Sequence, residues 1–380
     1  MSQINVRNLC NENEDGAPTI VGVSTFSATS YMCPPKGTTA QRPQNPVSGS
    51  IRFNTDTASL EYYKGNTIGW TQIEMTSPDL DGGARGIAMG GETPSSPNAS
   101  ATIDYFTIST LGNGQDFGDL TQARGTAGAC ASRTRGLCMS GYASGYHNVI
   151  DYITISSTGN ALDFGDLPVA VQGVDALSNA TRAVMTSGSN ASPGVTNVLS
   201  YVTIATTGNT QDFGDQQRNS SYSGTCSSST RGILAGGYGP APTIVNTIEY
   251  LTIATLGNTA DFGDFNGVRI GAMGVSNSTR GVFGGGLSPS YLNTIEYITI
   301  ATTGNAQDFG DLINSRHTRS SGMASPTRGL FQGGSTSPGT NRVDNVDYIE
   351  IATTGNSKDF GNLTQGMSAI PGCSNAHGGL

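Results

Sequence analysis

The sequence NTIEYITIATTGNAQDFGD at residues 293–311 recurs almost unchanged as NTIEYLTIATLGNTADFGD at residues 246–264. The same landmarks occur six times: an arginine that opens an apolar run ending in glycine, a tyrosine within an alternating stretch, a Gly-Asn turn, and a Phe-Gly pair. A unit of about 49 residues repeated in this way indicates a repeat architecture, in which each unit buries its apolar faces against its neighbours.

The composition favours an all-β protein. Charged residues make up 12% of the 380 residues and 53 residues are glycine, and no apolar pattern is sustained at helical spacing. The net charge is −9 and no cluster of Lys and Arg occurs, so nucleic acid is not expected as a partner. No stretch approaches 18 apolar residues and no signal peptide opens the chain, so membrane insertion is not expected either.

Cysteine spacing argues for buried free thiols. The six cysteines contain no CxxC pair, and three of them align with apolar residues of other repeats, so that cysteine serves there as a small hydrophobe. The six are Cys10, Cys33, Cys130, Cys138, Cys226 and Cys373. Neither disulfides nor a cysteine metal site is expected.

Insertions are confined to one loop in each repeat. The spacing from the arginine to the last glycine and from the tyrosine to the phenylalanine is constant, whereas the stretch from the glycine pair to the tyrosine varies in length. These loops are residues 92–102, 142–148, 189–197, 238–246, 287–293 and 335–345. In repeat proteins such loops share one face, which is often the binding face. The residues predicted to bind a glycan or protein surface are Tyr142, Tyr146, His147, Tyr238, Tyr291 and Arg342.

Each repeat is predicted to form a four-stranded sheet with both faces buried, as in the blade of a β-propeller. The strands are the Arg strand, the Tyr strand, the Phe strand and the apolar stretch that precedes the next arginine. Residues 76–84 lack that apolar stretch, while the C-terminal LTQGMSAIPGCSNAHGGL supplies one. We therefore expect residues 76–380 to form a six-bladed β-propeller that is closed by pairing of N- and C-terminal strands.

The repeats resemble those of the kelch family. The resemblance covers residues 85–380 and rests on the Gly-Gly strand, the Tyr strand and an aromatic about twelve residues later. Phenylalanine stands where kelch repeats usually carry tryptophan. A chromosome-condensation-regulator type of propeller, which also has glycine-rich repeats, is the alternative within the same fold.

Residues 34–75 differ in kind from the repeats. The stretch GTTAQRP followed by GSIRFNTDT, LEYY and Trp70 resembles a short module of tail fibres and other virion appendages of tailed bacteriophages, and three short strands are predicted in it. The resemblance implies a virion structural protein, with residues 1–33 as an N-terminal arm for virion attachment or oligomer contact and residues 34–75 as a small β adaptor. It also implies other virion proteins as partners through residues 1–75, and a homo-oligomer, by analogy a trimer.

Two charged residues recur once in each repeat. The arginines are Arg85, Arg135, Arg182, Arg231, Arg280 and Arg328, and the aspartates that lead each Asp-Phe-Gly sequence are Asp116, Asp163, Asp212, Asp261, Asp308 and Asp359. A structural role is the first interpretation, with each aspartate capping its own turn or pairing with a repeat arginine. The alternatives are an arginine ring that binds an anion and an aspartate ring that binds Ca²⁺. No cofactor or metal is predicted.

Little in the sequence indicates catalysis. The three histidines, His147, His317 and His377, lie at unrelated positions of the repeat, and no nucleophile elbow or phosphate-binding loop is present. The resulting hypothesis is a non-enzymatic phage appendage whose loop face binds the host surface. The alternative is a purely structural or decorating protein of the tail or capsid, and a glycan-active enzyme ranks third.

Overall fold

The computed structural model describes residues 34–57, 59–72, 84–94, 98–192, 194–239, 243–319, 321–336 and 341–380. The chain divides into two compact units, Met1–Ser77 and Pro78–Leu380. Both are built from strands, and the one helix among the described residues is a 3₁₀ turn at Thr39–Gln41. No helix in the described part is long and apolar enough to cross a membrane. The expectation of an all-β protein is confirmed.

The first unit holds a four-stranded sheet, one strand more than the sequence predicts. Its strands are β1 (Lys36–Gly37), β2 (Ile51–Asn54), β3 (Ser59–Tyr63) and β4 (Trp70–Gln72). Strand β1 pairs in parallel with β2, and the other pairs are antiparallel. On one face Glu61 is fully buried and lies 2.6 Å from Arg42 and 3.3 Å from Arg52. The predicted arm, residues 1–33, lies outside the described residues.

The second unit contains six antiparallel four-stranded sheets. The first sheet consists of β5 (Arg85–Gly91), β6 (Ser100–Thr107), β7 (Gln115–Asp119) and the C-terminal β28 (Gly372–Ser374). The second consists of β8 (Gly128–Ala131), β9 (Arg135–Tyr142), β10 (Tyr146–Thr154) and β11 (Leu162–Val171), and the third of β12 (Ala176–Ser178), β13 (Arg182–Met185), β14 (Val198–Thr203) and β15 (Gln211–Asp215).

The remaining three sheets repeat the same order of strands. The fourth consists of β16 (Gly224–Ser227), β17 (Arg231–Ala235), β18 (Thr247–Thr252) and β19 (Ala260–Asp264), and the fifth of β20 (Met273–Ser276), β21 (Arg280–Gly284), β22 (Thr294–Thr299) and β23 (Gln307–Asp311). The sixth consists of β24 (Met323–Ala324), β25 (Arg328–Gln332), β26 (Asn345–Glu350) and β27 (Lys358–Asn362). Each sheet therefore runs from a short apolar strand through the Arg and Tyr strands to the Phe strand.

The first sheet takes its apolar strand from the far end of the sequence. Strand β28 pairs antiparallel with β5, and Cys373 lies opposite Ile87. The short apolar strands are buried along their whole length in all six sheets. The cysteines in the described residues, Cys130, Cys138, Cys226 and Cys373, are buried and free, as expected.

Apolar side chains of neighbouring sheets form shared cores. Val282 of the fifth sheet packs in one cluster with Phe331 and Ile349 of the sixth. Phe106 and Ile108 of the first sheet share a cluster with Leu330 of the sixth, although they are more than 200 residues apart in sequence. Burial of both sheet faces explains why the Tyr strands carry buried apolar residues on both sides, such as Ile295 and Ile298 in β22.

The Phe-Gly and Gly-Asn pairs of each repeat join one sheet to the next. The amide of Gly304 in the fifth sheet donates to the carbonyl of Phe262 in the fourth, and Asn305 Oδ1 accepts from the amide of Asp264. The same two bonds join the sixth sheet to the first. The amide of Gly112 donates to the carbonyl of Phe360, and the amide of Asn362 donates to Asn113 Oδ1. These contacts between sheets explain why the sequences Gly-Asn and Asp-Phe-Gly recur in every repeat.

Candidate functional site

The variable loops and the connections between sheets emerge at the same end of the six sheets. This follows from the antiparallel order, because an Arg strand ends where the Phe strand of its own sheet ends. The loops between Arg and Tyr strands span residues 92–99, 143–145, 186–197, 236–246, 285–293 and 333–344, and the connections between sheets span residues 120–127, 172–175, 216–223, 265–272, 312–322 and 363–371. Together they form what we call the loop face.

A polar cavity of about 90 Å³ opens on this face between the fifth, sixth and first sheets. The variable loops contribute Glu92, Tyr291, Ser335 and Arg342, and the connections between sheets contribute His317, Thr318, Arg319 and Ser368. The volume is enough for about three water molecules, so the cavity can take one polar group of a larger ligand.

An arginine–glutamate network organises the charge in the cavity. Arg342 Nη2 lies 2.8 Å from Glu92 Oε2, and Arg342 Nε donates to Ser368 Oγ at 2.9 Å. Arg319 Nη1 is 3.9 Å from Glu92 Oε1, and the Arg319 side chain is 38% exposed. Two guanidinium groups thus face one carboxylate, which leaves one positive charge for an incoming ligand.

His317 forms the neutral wall of the cavity. It is 5% exposed, its Nε2 accepts a hydrogen bond from Arg319 Nε at 3.0 Å, and its ring centre lies 5.8 Å from that of Tyr291. Burial, together with the nearby charge of Arg319, lowers the pKa of His317 to about 3. The imidazole is therefore uncharged at neutral pH, as an acceptor for Arg319 must be.

His317 is expected to make the folded state sensitive to acid. Between about pH 6.5 and 3 the unfolded chain binds a proton at this histidine and the folded chain does not, so the free energy of unfolding falls as the pH falls. Urea unfolding at pH 7 and pH 5 should show a smaller loss for His317→Gln than for the unchanged protein. Equal losses in the two proteins would contradict the low pKa.

The backbone beside the cavity takes left-handed conformations. Six equivalent residues, one shortly before each short apolar strand, have φ between +53° and +66°: Thr126, Gly173, Tyr222, Gly271, Arg319 and Ala369. Glycine adopts this conformation at little cost, whereas Tyr222 and Arg319 pay of the order of 1 kcal/mol or more. The guanidinium of Arg319 lies 5.5 Å from the centre of the half-buried Tyr222 ring, so backbone strain and a cation–π contact coincide at this point.

The structure brings only some of the predicted loop residues together. Tyr291 and Arg342 line the polar cavity. Tyr142 and Tyr146 form an edge-to-face pair with ring centres 5.4 Å apart. His147 Nδ1 is hydrogen-bonded to Gln122 Oε1 at 2.8 Å instead.

Tyr238 is held by the backbone rather than grouped with the cavity. Its amide and carbonyl pair with those of Ser221. Four further residues were not predicted: Glu92, which lies in the first variable loop, and Tyr222, His317 and Arg319, which lie in connections between sheets. An alignment of the repeats does contain a signal for two of them, since Tyr222 and Arg319 stand where other repeats have Gly173 and Gly271.

The repeat arginines act between sheets. Each guanidinium lies 4.4 to 5.0 Å from the ring centre of its own sheet's tyrosine. Each also donates from Nη1 to a backbone carbonyl of a neighbouring sheet, as Arg280 does to Ile351 at 2.9 Å and Arg328 does to Ile108 at 3.3 Å. These contacts hold each guanidinium between two sheets, and they favour the structural interpretation.

The leading aspartates do not behave as either structural interpretation expects. Asp116 and the five equivalent residues are exposed on the outer strand of each sheet. Among the described residues no ion pair joins any of them to a repeat arginine, and no side-chain hydrogen bond caps the turn. The carboxylates instead remain in water, where an unpaired charge costs least.

A second set of charges lies buried where none was predicted. Arg124 is paired with Asp151 at 3.0 Å, Arg316 with Asp347 at 3.2 Å, and Arg269 with Glu296. The acidic partner always stands between a buried isoleucine or valine and the repeat tyrosine, and this pattern is visible in the sequence. Each pair joins the Phe-strand connection of one sheet to the Tyr strand of the next.

The histidines are dispersed. His377 Nε2 lies 2.9 Å from the carbonyl of Ala131 and lines a different cavity from the loop-face cavity. Within the described ranges no three His, Cys, Asp or Glu side chains are grouped as a metal site requires. No protein-family model matches the chain, and no curated protein matches it significantly.

Proposed function

We propose that this protein is a non-enzymatic structural protein of a tailed-phage virion, part of a tail fibre or similar external appendage, and that its loop face binds a glycan or protein on the host surface. The resemblance of residues 34–75 to a module of phage tail fibres supports the virion assignment. Residues 1–75 would bind other virion proteins, and the chain would act as a homo-oligomer, by analogy a trimer.

We further propose that the six sheets of the second unit are the blades of a kelch-like β-propeller. Pairing of β28 with β5 supports closure, because it joins the two ends of the repeat region in one sheet. The hydrogen bonds from the sixth sheet to the first, which copy those between the fourth and fifth, support a cyclic arrangement. In such an arrangement the six variable loops surround a common axis.

The observation that carries the binding proposal is the loop-face cavity. Two predicted loop residues, Tyr291 and Arg342, meet Arg319 there, and the site has one surplus positive charge. Arginine and tyrosine next to hydroxyl groups suit a polar ligand such as a sugar with an acidic or hydroxyl-rich edge. Strained backbone at Tyr222 and Arg319 is also typical of functional sites.

The test uses glycine variants of the full-length protein. Arg319→Gly removes the exposed guanidinium and leaves a residue that prefers the native φ of +61°, so the fold is expected to be kept. Thr126→Gly, at an equivalent position away from the cavity lining, is the matched control. Labelled protein should bind saturably to cells of a susceptible bacterial strain, and Arg319→Gly should weaken this binding about tenfold or more while Thr126→Gly leaves it unchanged.

Other results would redirect the assignment. Equal binding by Arg319→Gly and the unchanged protein would remove the cavity from the receptor site. Absence of binding by folded protein to every strain in a broad panel would favour a purely structural or decorating role in the tail or capsid. A glycan-active enzyme is the least supported option, because a retaining glycosidase needs two carboxylates about 5 Å apart and the cavity is lined by one, Glu92.

A further inference from the structure

A second cavity lies between the second and third sheets, at the loop-face end, and it differs from the polar cavity in size and chemistry. Its volume is about 210 Å³. Apolar side chains form most of its wall, including Leu167, Val169, Val171, Met185 and Val198. Val169 and Val198 are 52% and 46% exposed, so the cavity opens to solvent between two apolar side chains.

The neighbouring pair of sheets shows how side chains can fill this place. Between the third and fourth sheets the equivalent cavity measures only about 10 Å³. There Arg218 stands at the position of Val169 and Glu249 at the position of Ser200, and Arg218 Nε lies 3.5 Å from Glu249 Oε1. The large cavity therefore exists because this repeat has Val and Ser where the next one has an ion pair.

A comparison with the first and second sheets also shows that an ion pair is missing between the second and third. Arg124 and Asp151 form a buried ion pair there, and the equivalent residues one sheet later are Val171 and Ser200. The third repeat is the only one of the six that has a neutral residue before its tyrosine. Loss of both charges leaves no unpaired ion behind, and the space is left apolar.

The lining selects an uncharged ligand. Among the residues that the structure describes, no charged side chain lines the cavity. The hydroxyl of Ser187 is bonded to Gln216 and to the carbonyl of Ser220, and Thr196 Oγ1 donates to the carbonyl of Gly188 at 3.2 Å. Among the described residues the Ser200 hydroxyl has no such partner. A ligand would thus find an apolar wall with one free hydroxyl at its base.

We propose that this cavity binds a small uncharged molecule with a ring-sized apolar body and one hydrogen-bonding group, of which phenol is the simplest example. Dry apolar cavities of about 150 Å³ already bind benzene, so the volume is sufficient. The hydroxyl of the ligand would pair with Ser200 and the ring would contact Val171 and Met185. This site goes beyond the proposed receptor binding and does not depend on it.

The test is ligand-observed NMR on the full-length protein with phenol, and with benzene and benzoate as comparison ligands. Phenol should bind saturably, benzene more weakly, and benzoate not at all, because no cation in the lining would pair with its charge. The variant Val169→Arg with Ser200→Glu copies the filled site of the next sheet pair. It should weaken phenol binding by about tenfold or more.

A second variant guards against a folding defect. Ser200→Leu fills the cavity with apolar atoms and removes the hydroxyl, and it should abolish phenol binding with an unchanged circular dichroism spectrum. Arg319→Gly, which alters the other cavity, should bind phenol as the unchanged protein does. Phenol binding as tight as that of the unchanged protein in either folded cavity-filling variant, or no saturable binding by the folded unchanged protein, would overturn the proposal.

Discussion

The Gly361→Ala variant is expected to lower the free energy of unfolding by about 3 kcal/mol or more. Gly361 has φ +147°, and a Cβ atom there would overlap the carbonyl group of Gly112 in the first sheet. The backbone of the sixth sheet would have to move away from the first, and the hydrogen bond from Gly112 to Phe360 would be lost with it. Urea unfolding followed by fluorescence of the aromatic residues measures the loss.

The chain offers a control at Gly355, which has φ +155° and nothing within 4 Å of a Cβ atom. Gly355→Ala should cost only the conformational strain, about 1 kcal/mol. The difference between the two variants reports the contact of the sixth sheet with the first. Equal losses would contradict that contact, and with it the proposed cyclic arrangement of the sheets.

The Arg316→Met variant is expected to lose about 3–5 kcal/mol, because it leaves the buried carboxylate of Asp347 without its cation. Arg316 is fully buried and Asp347 is 2% exposed, and the two lie 3.2 Å apart. Two hydrogen bonds from the amide of Ile313 and the hydroxyl of Ser357 would remain on the carboxylate. They do not replace the charge of Arg316. The midpoint of urea unfolding provides the measurement.

The double variant Arg316→Met with Asp347→Ser should recover at least half of that loss. It copies the arrangement of the third repeat, where Val171 and Ser200 take the place of the ion pair. Arg316 Nε and Nη1 also lack hydrogen-bond partners in the described residues, so the native pair is incompletely satisfied, and replacing both partners costs less than breaking it. A double variant as unstable as the single one would show that the pair itself stabilises the fold.

The two cavities show how far sequence reasoning reached at the functional sites. The variable loops were recognisable from length variation alone, and two of their residues, Tyr291 and Arg342, line the polar cavity. Arg319 lines the same cavity from the connection between the fifth and sixth sheets, which lies outside the variable loops. The apolar cavity was not predicted because it results from a missing ion pair. That loss is visible only when Val169 and Ser200 are compared with Arg218 and Glu249, which form the ion pair in the next pair of sheets.

The partners of the repeat arginines could not be predicted from the sequence. The sequence predicts a structural role for the six arginines, but the partners it suggests, the leading aspartates, are exposed and unpaired with them in the described residues. The arginines bind tyrosine rings and carbonyl groups instead. Every residue has a backbone carbonyl group, so the residue types in a sequence do not indicate which carbonyl an arginine will bind.

By itself the sequence determined the local and periodic features: strands in place of helices, four strands in each repeat, and insertions in one loop of each. These follow from alternation, glycine placement and spacing, which act over a few residues. Tertiary structure alone decided which side chains of different repeats meet, such as Glu92 with Arg342 and Asp347 with Arg316. Such contacts join residues far apart in the chain, and their geometry depends on how whole sheets pack, which no local pattern encodes.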